Sequence, residues 1–226
     1  MIIQPNSKLV MIGDSITDCG RLRPVGEGSF DALGNGYVNF VDSLLTARYP
    51  AHHIRVVNMG ISGNTVRDLQ ERWQTDVLDL NPDWLSVMIG INDVWGHFGT
   101  DFRPNRRVSL EEYSKTLDEL VRETRPSLKG LVLLTPYFIE PNCAEPMRKM
   151  MDEYGTIVRR IAEKYKAILV DTQAAFDAVL THLHPMALAF DRVHPFSSGH
   201  MVIARAFLQA VGYEWQHDKK AIHHKG

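Results

Sequence analysis

Residues 9–17, LVMIGDSIT, decide the fold, because they join a buried strand directly to a polar turn. The first four residues are large and aliphatic with no polar residue between them, which is typical of a parallel strand covered on both faces. Gly13 allows a tight turn, on which Asp14 and Ser15 follow. The stretch therefore predicts a strand whose carboxyl end presents a serine.

Four further runs have the same apolar character. They are residues 54–57 (IRVV), 84–89 (WLSVMI), 131–134 (LVLL) and 167–170 (AILV). Each ends at a polar residue or a glycine, where a strand typically gives way to a turn. Together with residues 9–12, these runs predict the five strands of one parallel sheet.

Stretches with helical spacing lie between and after these runs. Residues 37–49, 110–124, 147–165 and 201–211 place apolar side chains three and four positions apart. Ser109 and Glu112 stand in the arrangement of a capping box at the start of the second stretch. Strands that alternate with helices predict an α/β fold. Ligands of such folds bind at the carboxyl ends of the strands, where most of the polar motifs below are expected.

The composition is that of an ordinary globular protein. The chain has 226 residues, 44% hydrophobic and 23% charged, which suits one domain over residues 1–216 with a flexible tail at residues 217–226. The formal net charge of -2 lacks the basic excess of a nucleic-acid binder, so we expect no nucleic-acid partner. Cys19 and Cys143 match no metal-ligand or redox spacing and are interpreted as free thiols.

No segment of the sequence indicates export or a membrane. Residues 1–8 lack the basic region and long apolar run of a signal peptide. No window reaches the roughly 18 consecutive apolar residues that a membrane span requires. We therefore expect a cytoplasmic protein without a membrane partner.

Two polar clusters near opposite ends of the chain suggest nucleophilic catalysis. Ser15 lies on the turn after the first strand, a position that suits a nucleophile and equally suits a helix N-cap. Asp191 and His194 lie in the loop DRVHP, residues 191–195. A serine nucleophile needs a histidine base, and the base needs a partner that fixes its tautomer. The pair also fits a surface hydrogen bond or part of a metal site, although no further ligands accompany it at a clear spacing.

Two more loops offer hydrogen-bond donors. Residues 58–65 (NMGISGNT) follow the second strand and open a helix, where the amide of Gly63 can point at an anion. Asn92, in GIND after the third strand, offers a side-chain amide. Pre-aimed donors stabilise the oxyanion of acyl transfer by about 2.7 to 4 kcal/mol each. Taken alone, both loops also fit ordinary turn chemistry, with Asp93 holding the second one.

Together, these motifs resemble the four sequence blocks of the SGNH hydrolases, also called GDSL esterases and lipases. The blocks stand in the family's order and approximate spacing, as residues 13–15, Gly63, residues 90–93 and residues 191–194. The resemblance extends from about residue 8 to residue 211. It implies a flavodoxin-like three-layer α/β/α sandwich with a five-stranded parallel sheet.

The resemblance also implies a role for each motif residue. Ser15 becomes the nucleophile, His194 its base and Asp191 the residue that orients the base. The backbone amides of Ser15 and Gly63 and the side chain of Asn92 form the oxyanion hole. No metal or organic cofactor is expected for this chemistry. The pattern argues against the more common α/β-hydrolases, whose serine lies in G-x-S-x-G, because residue 17 here is Thr.

The loops around the motifs suggest a sugar as the substrate. They carry the cationic and aromatic residues Arg21, Arg23, Trp95, Phe98 and Phe102. Aromatic rings beside polar side chains suit the faces and hydroxyls of a sugar, although each ring also fits ordinary loop packing. We expect Asp14, Arg21 and Trp95 to contact the substrate.

Residues 13–21, 61–69 and 89–95 are similar to the branch of this family that contains bacterial acetylxylan esterases. The likeness implies a serine carboxylic-ester hydrolase that removes acetyl groups from sugar hydroxyls, with acetylated xylo-oligosaccharides as the substrate. A lysophospholipase or thioesterase of the same family would keep the catalytic residues and differ in the pocket. A non-catalytic carbohydrate-binding protein is the alternative of another class. The sequence leaves a homo-oligomer open.

Overall fold

The computed structural model describes residues 1–28, 30–98 and 107–215. The predicted tail, residues 217–226, and Phe102 lie outside these ranges. Among the described residues, no helix is both long enough and apolar enough to cross a membrane.

Strands and helices alternate along the described chain. The strands are β1 (Lys8–Gly13), β2 (Arg55–Gly60), β3 (Trp84–Met88), β4 (Gly130–Leu134) and β5 (Ile168–Val170). The α-helices are α1 (Ser15–Asp18), α2 (Tyr37–Arg48), α3 (Val66–Trp73), α4 (Ile91–Trp95), α5 (Leu110–Thr124), α6 (Pro146–Tyr165), α7 (Thr172–Leu180) and α8 (Ser197–Ala210). Short 3₁₀ segments (Phe30–Leu33, Pro50–His52, Arg125–Ser127 and Pro185–Ala187) and a π segment after α3 (Gln74–Leu78) occur between them.

The five strands form one parallel sheet in the order β2-β1-β3-β4-β5. Leu9 of β1 lies opposite Val56 of β2 on one side and opposite Trp84 of β3 on the other. The chain leaves β1 towards one edge of the sheet and returns on the other side of β1 for β3. This reversal is the switch point beside which open parallel sheets bind their ligands, at the carboxyl ends of the strands.

Helices cover both faces of the sheet. On one face α2 and α7 both contact α8, and on the other α3 and α6 both contact α5. The three central strands β1, β3 and β4 are mostly apolar and almost fully inaccessible to solvent. Each large aliphatic side chain buried in this way contributes about 1.5–3 kcal/mol to stability. The predicted three-layer α/β/α sandwich with its five-stranded parallel sheet is confirmed.

Two C-terminal helices differ from the prediction. α8 begins at Ser197 rather than at residue 201. Its first turn contains two serines and Gly199, so the apolar periodicity starts later than the helix. α7 was not predicted, although Asp171 before it is an N-cap whose side chain accepts a hydrogen bond from the Ala174 amide.

The predicted capping box of α5 is half formed. Ser109 Oγ accepts a hydrogen bond from the Glu112 amide at 3.2 Å. The Glu112 carboxylate instead binds the guanidinium of Arg67 on α3. Two charge-assisted hydrogen bonds to one guanidinium are stronger than a single bond to a backbone amide, which explains the difference. A complete capping box occurs at the start of α3, between Thr65 and Asp68.

A thiol and an imidazole meet behind the β1 turn. Cys19 and Cys143 are both free thiols. Cys19 Sγ lies 3.4 Å from Nε2 of His200, and His200 Nδ1 accepts a hydrogen bond from the Tyr37 amide at 3.2 Å. The accepting Nδ1 has no proton, so the neutral ring is protonated at Nε2. Burial, and then the nearby His194, lower the pKa of His200 from 6.5 to about 4.

The buried imidazole of His200 predicts a loss of stability in acid. Between pH 6.5 and pH 4 the unfolded chain binds a proton at this residue and the folded chain does not, so the free energy of unfolding falls as the pH falls. Between pH 7 and about pH 4.5, we expect the free energy of unfolding of His200→Gln to fall by about 2–3 kcal/mol less than that of the native protein. Urea unfolding at both pH values measures the difference.

The comparison of pH slopes separates this effect from a general loss of packing in the variant. Burial raises the pKa values of Asp14 and Asp93 to about 7, so these two groups increase the free energy of unfolding as the pH falls. Both residues are present in the native protein and in His200→Gln, so their effect cancels when the two slopes are compared. Exposed His182 offers the matched control His182→Gln, which should leave the slope unchanged. Equal losses in the native protein and His200→Gln would contradict the prediction.

Candidate active site

The turn after β1 places Ser15 at the switch point of the sheet. A Cβ on Gly13 would lie 2.3 Å from the carbonyl oxygen of Met88 and 2.4 Å from Thr17 Oγ1, so only glycine fits where β1 turns into α1. Ser15 is the first residue of α1, and Asp14 is its N-cap. The first amides of a helix have no intrahelical acceptor. The Ser15 amide is therefore available to a bound oxyanion.

The three residues predicted as catalytic lie together. Ser15 Oγ is 2.9 Å from His194 Nε2, and His194 Nδ1 is 2.6 Å from Asp191 Oδ2. Ser15 and His194 are separated by 179 positions in the sequence, so only the fold brings them together. The side chains of His194 and Asp191 are 48% and 40% exposed, which leaves the site open to a substrate from solution.

The surroundings of Asp191 determine which nitrogen of His194 is protonated. Partial burial raises the pKa of Asp191, but hydrogen bonds from the side chain and amide of His194 and from the Val193 amide outweigh this effect and lower it. The ionised carboxylate can only accept, so His194 Nδ1 donates to it. His194 Nε2 is then the acceptor for the hydroxyl of Ser15, as a general base requires.

The predicted oxyanion loops occupy the same edge of the sheet. Ile61 and Asn64 close a turn through a 3.2 Å hydrogen bond, and Gly63 takes the positive φ of 83° that its third position requires. Asn92, at the start of α4, is 9% exposed and donates one amide hydrogen to the Asn64 carbonyl at 2.9 Å. Within the described ranges, the second amide hydrogen of Asn92 has no hydrogen-bond acceptor, so it can bind an oxyanion. The hydrogen bond between Asn92 and Asn64 thus fixes the loop after β3 relative to the loop after β2.

Asp93, beside Asn92, holds the loops together, in line with the role expected above. Its Oδ1 accepts a hydrogen bond from the Val66 amide at the start of α3, at 3.0 Å. The side chain is fully buried, and burial raises its pKa to about 7. Asp93 therefore joins the loop after β3 to the helix that follows the Gly63 turn.

Asp18 supports the oxyanion loop, and we did not identify it from the sequence. Its Oδ2 accepts hydrogen bonds from the amide and hydroxyl of Ser62 and from Arg23 Nη2, at 2.9, 2.8 and 2.7 Å. Burial raises its pKa, but the bonds from Arg23 and Ser62 outweigh this and lower it. The carboxylate thereby ties the helix of Ser15 to the turn of Gly63. The motif GDSITD contains Asp18, but nothing in the sequence indicates its partners.

Arg72 of α3 is a second supporting residue missed in the sequence. Its Nη2 donates to the Gly13 carbonyl at 2.9 Å and its Nη1 to the Met59 carbonyl at 2.7 Å. Its Nε donates to the Asn64 side chain at 2.7 Å. One guanidinium therefore fixes the ends of β1 and β2 and the turn between β2 and α3.

Two of the three residues expected to contact the substrate are buried instead. Asp14 is 1% exposed, its Oδ1 accepts a hydrogen bond from the Ile16 amide, and burial raises its pKa to about 7. Arg21 is 5% exposed and donates to the carbonyls of Gly60, Leu22 and Pro24. Burial is also the main cause that lowers the pKa of Arg21, to about 10. These contacts correct the expectation: Asp14 caps α1, and Arg21 supports the loop after it.

Trp95 borders the site as expected. Its half-buried ring lies beside His194, with ring centroids 5.9 Å apart and planes at 49°. Phe98 is 40% exposed, and the Arg23 side chain is 48% exposed while it binds Asp18. Trp95 is thus in contact with the catalytic histidine candidate.

The site has the parts of an acyl-transfer centre. It combines a hydroxyl, a base oriented by a carboxylate, and amide donors on two neighbouring loops. The alternative of a metal site finds no support in residues 1–28, 30–98 and 107–215, where no three His, Cys, Asp or Glu side chains form a ligand group. The N-cap alternative for Ser15 is wrong, because Asp14 occupies that position.

Comparisons with known proteins agree with the motifs. The model of the GDSL-like Lipase/Acylhydrolase family matches residues 11–202. An acetylxylan esterase of Geobacillus stearothermophilus is 58% identical over 215 residues, which cover 95% of this chain and 98% of that protein. LAE5, an alpha/beta hydrolase enzyme from the metagenome of Lake Arreo, Spain, has a TM-score of 0.92 at 56% identity, covering 94% of this chain and 98% of that one.

The crystal structure of Axe2, an acetylxylan esterase from the same Geobacillus species, is also closely similar. Its S15A catalytic mutant has a TM-score of 0.95 at 57% identity, covering 97% of this chain and 100% of that one. Other structures of Axe2 are described as its catalytic mutants D191A and H194A. Since the family model matches most of the chain and the relatives align over nearly all of it, this chain belongs to the GDSL-like lipase/acylhydrolase family.

Proposed function

We propose that the protein is a serine esterase that removes acetyl groups from the hydroxyls of short acetylated xylo-oligosaccharides. The observation that carries the proposal is the chain of contacts from Ser15 Oγ to His194 Nε2, at 2.9 Å, and from His194 Nδ1 to Asp191, at 2.6 Å. The choice of substrate is supported by the 58% identity to an acetylxylan esterase. A non-catalytic binding protein would not require this arrangement.

In the first half of the reaction, Ser15 Oγ attacks the carbonyl carbon of the acetyl ester while His194 Nε2 takes the hydroxyl proton. The carbonyl oxygen becomes negative and accepts hydrogen bonds from the amides of Ser15 and Gly63 and from the free Asn92 hydrogen. Asp191 stabilises the charged imidazolium. The bond to the sugar oxygen then breaks, and His194 returns the proton to that oxygen.

In the second half, the acetyl group is transferred from Ser15 to water. A water molecule takes the place of the sugar, and His194 removes its proton as it attacks the acetyl carbon. The same amides stabilise the second oxyanion. Acetate leaves, and the proton on His194 returns to Ser15 Oγ. The cycle ends with the enzyme unchanged and uses no group beyond the described residues and water.

Trp95 is proposed to bind the sugar part of the substrate. Its ring lies beside His194, which must reach the oxygen of the leaving sugar. An aromatic ring there offers an apolar face to the sugar. The expected cytoplasmic location and a homo-oligomeric state stay predictions, which cell fractionation and light scattering would test.

The choice between acetyl and long acyl groups tests the proposed function directly. We expect kcat/KM for an acetyl ester to exceed that for the octanoyl ester of the same alcohol by about 100-fold or more, because the proposed acetyl specificity requires an acyl site that excludes a long chain. Release of acetate from acetylated xylo-oligosaccharides provides the second measurement. A preference for octanoyl or thioester substrates would indicate the lysophospholipase or thioesterase alternative instead.

The variant Trp95→Ala separates recognition of the sugar from the chemistry. It should raise KM for acetylated xylo-oligosaccharides and leave hydrolysis of p-nitrophenyl acetate, which has no sugar, nearly unchanged. Phe98→Ala is the matched control, because Phe98 is an exposed aromatic residue three positions after Trp95. Equal effects of Trp95→Ala on both substrates would remove Trp95 from sugar binding.

A further inference from the structure

The loop that carries Asp191 and His194 contains a backbone conformation that few residues adopt. Arg192 has a φ of 63°, in the left-handed region that its Cβ disfavours. Asp191 and His194 lie on either side of it, so this conformation sets the direction in which both side chains leave the loop. Hydrogen bonds from the Val193 and His194 amides to Asp191 stabilise the loop from within, and contacts from outside it also compensate for the unfavourable geometry.

Arg192 makes three such contacts, all with one neighbouring segment. Its carbonyl accepts a hydrogen bond from the Ile139 amide at 2.9 Å. Its Nη1 donates to Glu140 Oε2 at 2.6 Å, and its guanidinium carbon lies 4.7 Å from the centre of the Phe138 ring. The hydroxyl of Tyr137 adds a hydrogen bond to the Val193 carbonyl at 3.1 Å. Residues 137–140, which follow β4, therefore bind Arg192 and Val193 in the middle of the loop.

Residues 137–140 are themselves firmly anchored. Gln173 of α7 binds both the amide and the carbonyl of Phe138, at 2.8 and 3.1 Å. Arg148 of α6, 3% exposed, donates to the Glu140 carbonyl at 2.5 Å and makes paired bonds to Asp177 at 2.9 and 2.8 Å. Two helices therefore fix the surface to which Arg192 is bound.

We propose that Arg192 is a positioning residue, which through Glu140 and Phe138 holds the Asp191–His194 loop in the geometry that keeps His194 within reach of Ser15. The inference rests on the proposed function, in which His194 is the base. The guanidinium is bound to Glu140 and Phe138 and acts on Ser15 only through the backbone of the loop. Displacement of a base by about 1 Å costs on the order of 100-fold in rate. The effect therefore falls on kcat and leaves KM nearly unchanged.

Alanine and glycine at position 192 distinguish a backbone role from a direct one. Arg192→Ala loses the side-chain contacts and keeps the unfavourable φ, so we expect kcat to fall about 10- to 100-fold with KM within about threefold. Arg192→Gly also loses the contacts, but glycine adopts a positive φ freely. Its kcat should therefore recover most of the loss seen in Arg192→Ala. Lys166→Ala is the matched control: Lys166 has a φ of 51° at the end of α6, and its replacement should leave kcat unchanged.

Glu140→Gln provides a second variant, which keeps the shape of the side chain and removes its charge. In the native background it should lower kcat, because it weakens the contact that holds Arg192. In the Arg192→Gly background it should have no effect, since the contact is already absent. Equal effects of Glu140→Gln in the two backgrounds would contradict the proposal, as would an undiminished kcat in Arg192→Ala or equal losses in the alanine and glycine variants.

Proton NMR of the His194 ring follows the loop without any reference to turnover. The short contact between His194 Nδ1 and Asp191 places that proton far downfield. Its resonance should be present in the native protein and in Arg192→Gly and be lost to exchange in Arg192→Ala. Retention in Arg192→Ala would overturn the positioning role. If the resonance behaves as expected while Ser15→Ala keeps full esterase activity, the proposed function fails and the positioning of the loop by Arg192 stands.

Discussion

Ser15→Ala is expected to lower kcat by about 10⁴- to 10⁶-fold, because it removes the atom that forms the acyl-enzyme. Its Oγ contacts His194 Nε2 and contributes little else to the fold, while Asp14 caps the helix and Gly13 forms the turn. The variant should therefore fold with an unchanged melting temperature. Stopped-flow and steady-state hydrolysis of p-nitrophenyl acetate measure both the acylation burst and turnover.

Covalent labelling gives an independent test of the same residue. A fluorophosphonate should modify Ser15 in the native protein and leave Ser15→Ala unlabelled. Ser198→Ala is the matched control, because Ser198 is an exposed serine near the start of α8. It should retain both labelling and activity. Full activity in Ser15→Ala would exclude Ser15 as the nucleophile, and labelling of Ser15→Ala would reveal another reactive side chain.

His194→Ala is expected to lower kcat to a similar extent, by about 10⁴- to 10⁶-fold, because no other base contacts Ser15 Oγ in the described structure. The proton of Ser15 would then have to pass to water. The remaining activity should come from the oxyanion donors and substrate binding alone. Steady-state kinetics with an activated acetyl ester measure the loss.

The double variant Ser15→Ala with His194→Ala shows whether the two residues act as one unit. Residues of one catalytic relay give losses that do not add, so the double variant should be no slower than either single variant. His182→Ala, an exposed histidine elsewhere on the surface, is the matched control and should keep native activity. Independent, multiplying losses would mean that His194 does not activate Ser15.

The sheet could be predicted because its strands are buried on both faces. Such strands are continuous apolar runs, which a sequence displays directly, and their polar ends mark the edge where the loops converge. α7 could not be predicted because its nine residues, Thr172–Leu180, show a weak apolar stripe. The start of α8 is predicted too late because Ser197 and Ser198 precede its apolar positions. Local patterns indicate a helix by its buried face and say less about where it begins.

The candidate catalytic residues could be located because their residue types stand in the order of the four sequence blocks of the family. Asp14 and Arg21 were misassigned because a sequence shows which side chains a loop contains but not which way they point. Both turn inward, one to an amide of its own helix and the other to three carbonyls. Polar residues of a tight turn are needed to satisfy its backbone before any are left for a ligand.

The supporting residues could not be predicted because their partners are distant in the sequence. Arg72 reaches the Gly13 carbonyl, and Arg192 reaches Glu140, from 59 and 52 positions away. Only the packed structure pairs them. Asp18 lies near Ser15, but its bond to Ser62 spans 44 positions and likewise leaves no local signal.

The separation of Ser15 from His194 by 179 positions has a consequence for synthesis of the protein. Synthesis runs from the N-terminus, so a ribosome makes the serine 179 positions before the histidine. A nascent chain that stops short of His194 carries the hydroxyl without the base that activates it, so its serine is not activated for acylation. Activation of Ser15 by His194 therefore becomes possible only after synthesis has passed His194.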